Sequence, residues 1–126
     1  MKLSQAELDT MLVLWECDEP IRPSSLLKIM EKTHKWSIST LKTLLTRLEE
    51  KGFLEVVSKK RFLYYFPKIT KKQYFEMEAE SLMTRLNTSS PLSLMAGFIS
   101  NNITEDELCE MEELLKEARK RLSSSQ

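Results

Sequence analysis

Apolar residues recur through the first fifty positions at spacings of three and four, the pattern of helices that bury one face. Leu8, Met11, Leu12 and Trp15 predict a helix over about 5–17. Ser4-Gln5-Ala6-Glu7 marks its start as a capping box, in which the Ser and Glu side chains each satisfy an unpaired amide. Leu26, Leu27 and Met30 predict a second helix from Pro23, a residue suited to the first helical position, to about Lys32. Ile38, Leu41, Leu44/Leu45 and Leu48 define the buried stripe of a third. Ser37 is its expected N-cap, and Trp36 with Leu41 a staple across its first turn. Gly52 ends it in a left-handed conformation.

After Gly52 the period shortens to two. Residues 53–57 (FLEVV) and 62–66 (FLYYF) predict a β-hairpin, with Ser58-Lys59-Lys60-Arg61 as a four-residue connection and Pro67 closing the second strand. From Thr70 onward the pattern is helical again. Phe75, Ala79, Leu82 and Leu86 form one stripe, residues 87–91 interrupt it, and LSLMAGFI is apolar on nearly every side. Thr104 and Glu107 open a further helix as a capping box. Leu108, Met111, Leu115, Ala118 and Leu122 give it a coiled-coil-like seam. The expected fold is mainly α: a winged helix-turn-helix N-terminal domain at 1–69 and a three-helix C-terminal dimerisation lobe at 70–126. The apolar faces of that lobe exceed what one chain can cover, which predicts a symmetric dimer. Its surface is expected to comprise Phe75, Leu82, Leu86, Leu92, Met95, Phe98, Ile99, Leu108, Met111, Leu115 and Leu122.

The polar side of the third helix is unusual. It offers Ser39, Thr40, Lys42, Thr43, Thr46 and Arg47, with no acid before Glu49. Short hydroxyls permit close approach to a DNA groove, and cations meet phosphate or guanine, so these six are the candidate base readers. Lys59, Lys60 and Arg61 crowd the hairpin tip and, with Lys35, are candidate phosphate contacts.

Overall charge is zero, with 19 basic and 19 acidic residues in 126. Its distribution changes the picture. Residues 1–70 carry 12 basic and 9 acidic side chains, and residues 71–126 carry 7 and 10. Within 32–61 the count is 8 against 3, so positive charge gathers around the candidate reading helix. Cys17 and Cys109 stand alone and are expected as buried thiols, and with one histidine, His34, a structural zinc site lacks ligands. His34 lies in a basic turn and reads as solvated. No metal or cofactor is expected. With only Gly52 and Gly97 there is no glycine-rich phosphate loop, and no Cys/His pair recommends a nucleophile. No apolar run is long enough to span a bilayer and the first residues lack a signal core, so the expected location is the cytoplasm, without membrane insertion.

With these residues placed, the chain resembles the penicillinase repressor family (BlaI/MecI, with copper-responsive CopY-type relatives). The resemblance rests on Ser4-x-Ala6-Glu7 with Trp15, on Trp36-Ser37-x-x-Thr40-x-x-Thr43-Leu44-x-Thr46-Arg47-Leu48-x-x-Lys51-Gly52-Phe53, and on Tyr64-Tyr65. It implies a dimeric bacterial repressor on a palindromic double-stranded DNA operator, with major-groove contacts on Ser39, Thr40, Lys42, Thr43 and Arg47. Closely similar resistance repressors tend to carry lysine at the position of Ser39 and arginine at that of Lys42, which implies a changed base preference. In antibiotic-responsive members a sensor protease cuts an Asn–Phe bond. The corresponding position here is Gly97–Phe98, with Gly in place of Asn, and the C-terminal residues RLSSSQ lack the Cys-x-Cys motifs of copper-responsive members. The releasing signal stays open between proteolysis and an effector. Two other readings compete: a winged-helix protein-interaction module without DNA readout, and an effector-responsive repressor with Met77, Met83, Met95 and Met111 around a pocket.

Overall fold

The computed structural model describes residues 2–124. Three helices, α1 (Gln5–Leu14), α2 (Pro23–Met30) and α3 (Ile38–Glu50), precede a hairpin of β1 (Leu54–Lys59) and β2 (Phe62–Pro67). Three more follow: α4 (Lys71–Arg85), α5 (Leu92–Ile99) and α6 (Glu105–Ser124). The chain forms two compact units, one extending to Ala79 and the other beginning at Glu80.

Capping holds the helix starts as expected. Glu7 N–H donates to Ser4 Oγ and Ser4 N–H to Glu7 Oε1, at 3.2 and 2.7 Å. Thr104 and Glu107 exchange the same pair of bonds, both at 3.2 Å. Thr40 N–H donates to Ser37 Oγ at 3.1 Å. Gly52 adopts φ +83°, where any side chain would be strained. A box not foreseen, Thr70 with Gln73, opens α4.

The core of the first unit joins Met11 and Leu14 of α1, Leu26 and Met30 of α2, and Leu41, Leu45 and Leu48 of α3 to Phe53, Leu54 and Tyr65 at the base of the hairpin. Tyr74 closes it from α4, its ring centroid 5.6 Å from Trp15 and 5.8 Å from Phe53. Burial and the Glu78 carboxylate that accepts its hydroxyl at 2.6 Å push the Tyr74 phenol up to about 12. Trp15 Nε1–H donates to the Ile69 carbonyl at 2.9 Å, fastening the end of α1 to the chain beyond the hairpin.

Several expectations are corrected. Helix α1 ends at Leu14 and α2 at Met30, short of 17 and 32, because turns follow at once. The buried face of α1 is Glu7, Thr10, Met11 and Leu14, with Leu8, Leu12 and Trp15 half-buried. Two polar residues can lie there because Thr10 Oγ1 donates to Ala6 O at 2.8 Å and Glu7 meets Lys51. Leu27 is half-buried, and Ile38 is exposed. His34 is bound on two sides: its ring nitrogens lie 2.9 Å from Asp9 Oδ2 and 2.8 Å from Thr33 Oγ1, and the ring packs on Trp36. Cys17 is half-buried, with burial and the neighbouring Asp18 and Glu16 raising its thiol, whereas Cys109 is exposed on α6. The hairpin connection has two residues. Ser58 pairs with Leu63 and Lys59 with Phe62, so only Lys60 and Arg61 turn. Ile21 adds a one-residue bridge to the free edge of β2, exchanging both backbone bonds with Tyr65.

The second unit is built differently. No side chain of α5 or α6 is buried, and Leu92 and Phe98 are 71% and 63% exposed.

Glu7 Oε1 also accepts from Lys51 Nζ at 2.7 Å, and the same ammonium donates to the Lys2 carbonyl at 3.2 Å. Burial acts to raise the Glu7 carboxyl, but hydrogen bonds from Lys51 and Ser4, with the Lys51 charge, hold it below the usual range. Asp9 is lowered too, by hydrogen bonds from Gln5 and His34. Folded pKa values below the unfolded ones give stabilisation that is complete above the ordinary carboxylate range, roughly pH 4, and lost as pH falls through the folded values. Lys51→Met leaves a buried carboxylate unpaired, so it should cost about 1–3 kcal/mol in urea unfolding at pH 7. That deficit should shrink below about pH 4; a deficit that does not change with pH would contradict this role of the pair.

Candidate nucleic-acid interface

The N-terminus of α3 is fixed by Ser37, its C-terminus by Gly52, and its roll by Leu41, Leu44, Leu45 and Leu48, all buried. That leaves Ser39, Thr40, Lys42, Thr43, Thr46 and Arg47 on one exposed side. The six expected readers therefore share a surface. Lys59, Lys60 and Arg61 are exposed at the hairpin tip, and Lys35 is exposed just before α3. Among the described residues, none of these cations lies within ion-pair distance of a carboxylate.

The hydroxyls are not equivalent. Thr43 Oγ1 donates to Ser39 O at 3.1 Å and Thr46 Oγ1 to Lys42 O at 2.9 Å. Their protons are committed to the helix, which leaves each a methyl group and an acceptor lone pair. Thr40 Oγ1 accepts from Ser37 Oγ at 3.1 Å, so its own proton stays available. Lys42 and Arg47 carry the free cationic donors of the face.

The hairpin tip is strained. Lys60 and Arg61 adopt φ of 50° and 74°, the feature of a type I′ turn, which ordinarily selects Asn-Gly. Two adjacent cations occupy a conformation that costs L-residues roughly 1–2 kcal/mol each. Sequence reasoning assigned Ser58 and Lys59 to the turn as well, because neither glycine nor asparagine marks the two residues that make it.

Sequence reasoning missed two neighbours of this surface. Arg22 lies with its guanidinium carbon 3.6 Å from the centroid of the Phe62 ring, and Ile38 lines a groove beside Lys42. The available signal was a cation in the Ile21-Arg22-Pro23 run, at a position where a capping side chain is usual. The four methionines do not line that groove. Gly97 and Phe98 lie inside α5. Among the described residues, no group of three or more His, Cys, Asp or Glu could hold a metal ion, and no helix is long and apolar enough to cross a membrane.

Three helices followed by a two-stranded wing, the third helix cationic and hydroxyl-rich on its outer face, define a winged helix-turn-helix protein. The sequence model of the penicillinase repressor matches residues 3–117. The chain is 31% identical over 121 residues to the penicillinase repressor of Bacillus licheniformis, which covers 95% of this chain and 94% of that one. Its fold is similar to the solution structure of the DNA binding domain of the repressor BlaI (TM-score 0.52, 36% identity, 58% of this chain and 88% of that one). It is also similar to the solution structure of the Bacillus licheniformis BlaI monomeric form in complex with the blaP half-operator (TM-score 0.50, 35% identity, 59% and 89%). The chain belongs to the penicillinase repressor family, a family of transcriptional repressors and not of enzymes.

Replacing Lys60-Arg61 by Asn-Gly should relieve the turn and raise stability by roughly 1 kcal/mol, read from the urea midpoint. A lower midpoint would show that the cations do not strain the hairpin.

Proposed function

We propose that this chain represses transcription as a homodimer on an inverted-repeat operator in the bacterial cytoplasm, with α3 of each copy in the major groove. Residues 1–69 bind DNA in this reading, and 70–126 supply the association. The observation that carries it is the outward side of α3: six polar residues with no acid before Glu49, beside a cationic wing. A protein-interaction face would call for aromatic anchors, and this side has none.

Chemistry divides the roles. Arg47 and Lys42 have free donors for the O6 and N7 acceptors of guanine. Thr43 and Thr46, with their protons committed, suit thymine methyls or the amino groups of adenine and cytosine. Lys35, Lys59, Lys60 and Arg61 neutralise phosphates.

The dimer rests on the apolar surface of the later helices. Leu92, Phe98, Leu114 and Leu115 are all more than half exposed, a pattern that in a monomer marks an interaction surface. BlaI in its monomeric form was solved with a half-operator, so one copy on one half-site and two on the whole is the consistent stoichiometry. Two-fold symmetry then sets the reading helices about 34 Å apart, one turn of DNA.

Release is by proteolysis or by an effector, and a sensor protease remains a candidate partner. Cleavage of Gly97–Phe98 requires α5 to open, since a protease takes its substrate extended. In a single copy α5 has no buried side chain and a glycine inside it, so it resists opening little once the copies separate.

Arg47→Ala should cost about 1–3 kcal/mol on the preferred operator and relax sequence preference, whereas Thr43→Val, which keeps a methyl, should hold affinity within about 1 kcal/mol. Titration on specific and random duplexes checks both; equal losses on the two DNAs for Arg47→Ala would remove it from base reading. Leu115→Glu should convert dimer to monomer in sedimentation and lower operator affinity by an order of magnitude or more. Wild-type protein that sediments as a monomer would contradict the symmetric arrangement.

A further inference from the structure

A groove of about 460 Å³ opens between the start of α2, the outer side of α3 and the wing. Arg22, Lys42 and Arg61 rim it, Ile38 and Phe62 supply apolar wall, and its lining contains no carboxylate. None of the three cations forms an ion pair among the described residues. The Arg22 side chain does nothing for the helix it precedes: it makes no cap bond, and its charge sits at the end of α2 where the backbone dipole is already positive. What holds it is the Phe62 ring, 3.6 Å away. A guanidinium stacked on a ring keeps its N–H edge free for a bidentate partner.

We propose that this groove seats one sugar–phosphate strand of the bound duplex, and that Arg22, positioned by Phe62, is a phosphate-binding residue of the repressor. The inference rests on the DNA reading above and adds residues to it. A single sugar–phosphate strand separates the major from the minor groove of a duplex. With α3 in the major groove and the wing reaching toward the adjacent minor groove, as this proposal has them, that strand runs between the two. The groove has the matching chemistry: Arg22 and Arg61 for the phosphates, with Lys42 left to the bases, and Ile38 and Phe62 for the apolar faces of the deoxyriboses. Phe62 follows the strained Lys60-Arg61 turn directly, so the same contact ties the wing to the start of α2.

The test uses the full chain, titrated over a range of salt on an operator duplex and on a random duplex. Arg22→Ala should weaken both alike, by about tenfold, and lower the slope of log affinity against log salt by about 0.9 per protomer. Phe62→Leu, which keeps bulk but removes the ring face, should lose much of the same affinity, and Phe62→Tyr should restore it. In a duplex scanned with single methylphosphonate linkages, one linkage should weaken the wild type and leave Arg22→Ala unaffected. Wild-type affinity and slope in Arg22→Ala would overturn the proposal, as would a loss confined to the operator, which would make Arg22 a base reader. If Arg22→Ala matches the wild type while Arg47→Ala still loses sequence preference, the groove assignment alone falls. If the wild type itself shows no salt-dependent binding to either duplex, the DNA reading falls with it.

Discussion

Burial of one leucine stripe governs the first unit. Leu41, Leu44, Leu45 and Leu48 stand at the spacing of a single helical face, and each gains about 1.5–3 kcal/mol by leaving water. No rotation of α3 about its axis keeps that gain. Once the stripe faces Met11, Leu14, Leu26 and Met30, the outward positions are fixed, and they are the side chains proposed to meet DNA. Ser37 stops the helix from sliding at one end. At the other, Lys51 anchors it to Glu7 on α1, among the described residues the sole ion pair in this lobe with a nearly buried carboxylate.

Much of this was legible because it is local. A capping Ser, a leucine period and a closing Gly all lie within the span of α3, and each acts on neighbours a few residues away. What escaped reading depends on distant partners. His34 looked solvated because Asp9, which binds it, lies 25 residues earlier. Glu7 declared itself as a cap, but its burial depends on Lys51, 44 residues on. Ile38 sits one turn before Lys42 and two before Thr46, on a row that faces the groove, so an apolar residue was mistaken for core. The Ile21 bridge is a single residue and has no period to detect.

The two units solve the burial problem in opposite ways. The first has a closed core and sets its strain at the wing tip, where two cations hold positive φ without glycine. Such a turn is retained where its side chains are needed more than its ease of folding. The second keeps α5 and α6 without a buried side chain, which is sensible for helices completed by another copy and costly for helices left alone. Under the dimer reading, whatever opens α5 or separates the copies lowers operator affinity with no change to the reading helix.

Selection of bound duplexes from a random pool at physiological salt tests the central claim most directly, that the outward side of α3 reads bases in two symmetric copies. The account predicts enrichment of an inverted repeat whose half-site centres lie about 10 base pairs apart or a multiple of that. A pool that emerges without any enriched sequence, or with an asymmetric single site, would contradict it.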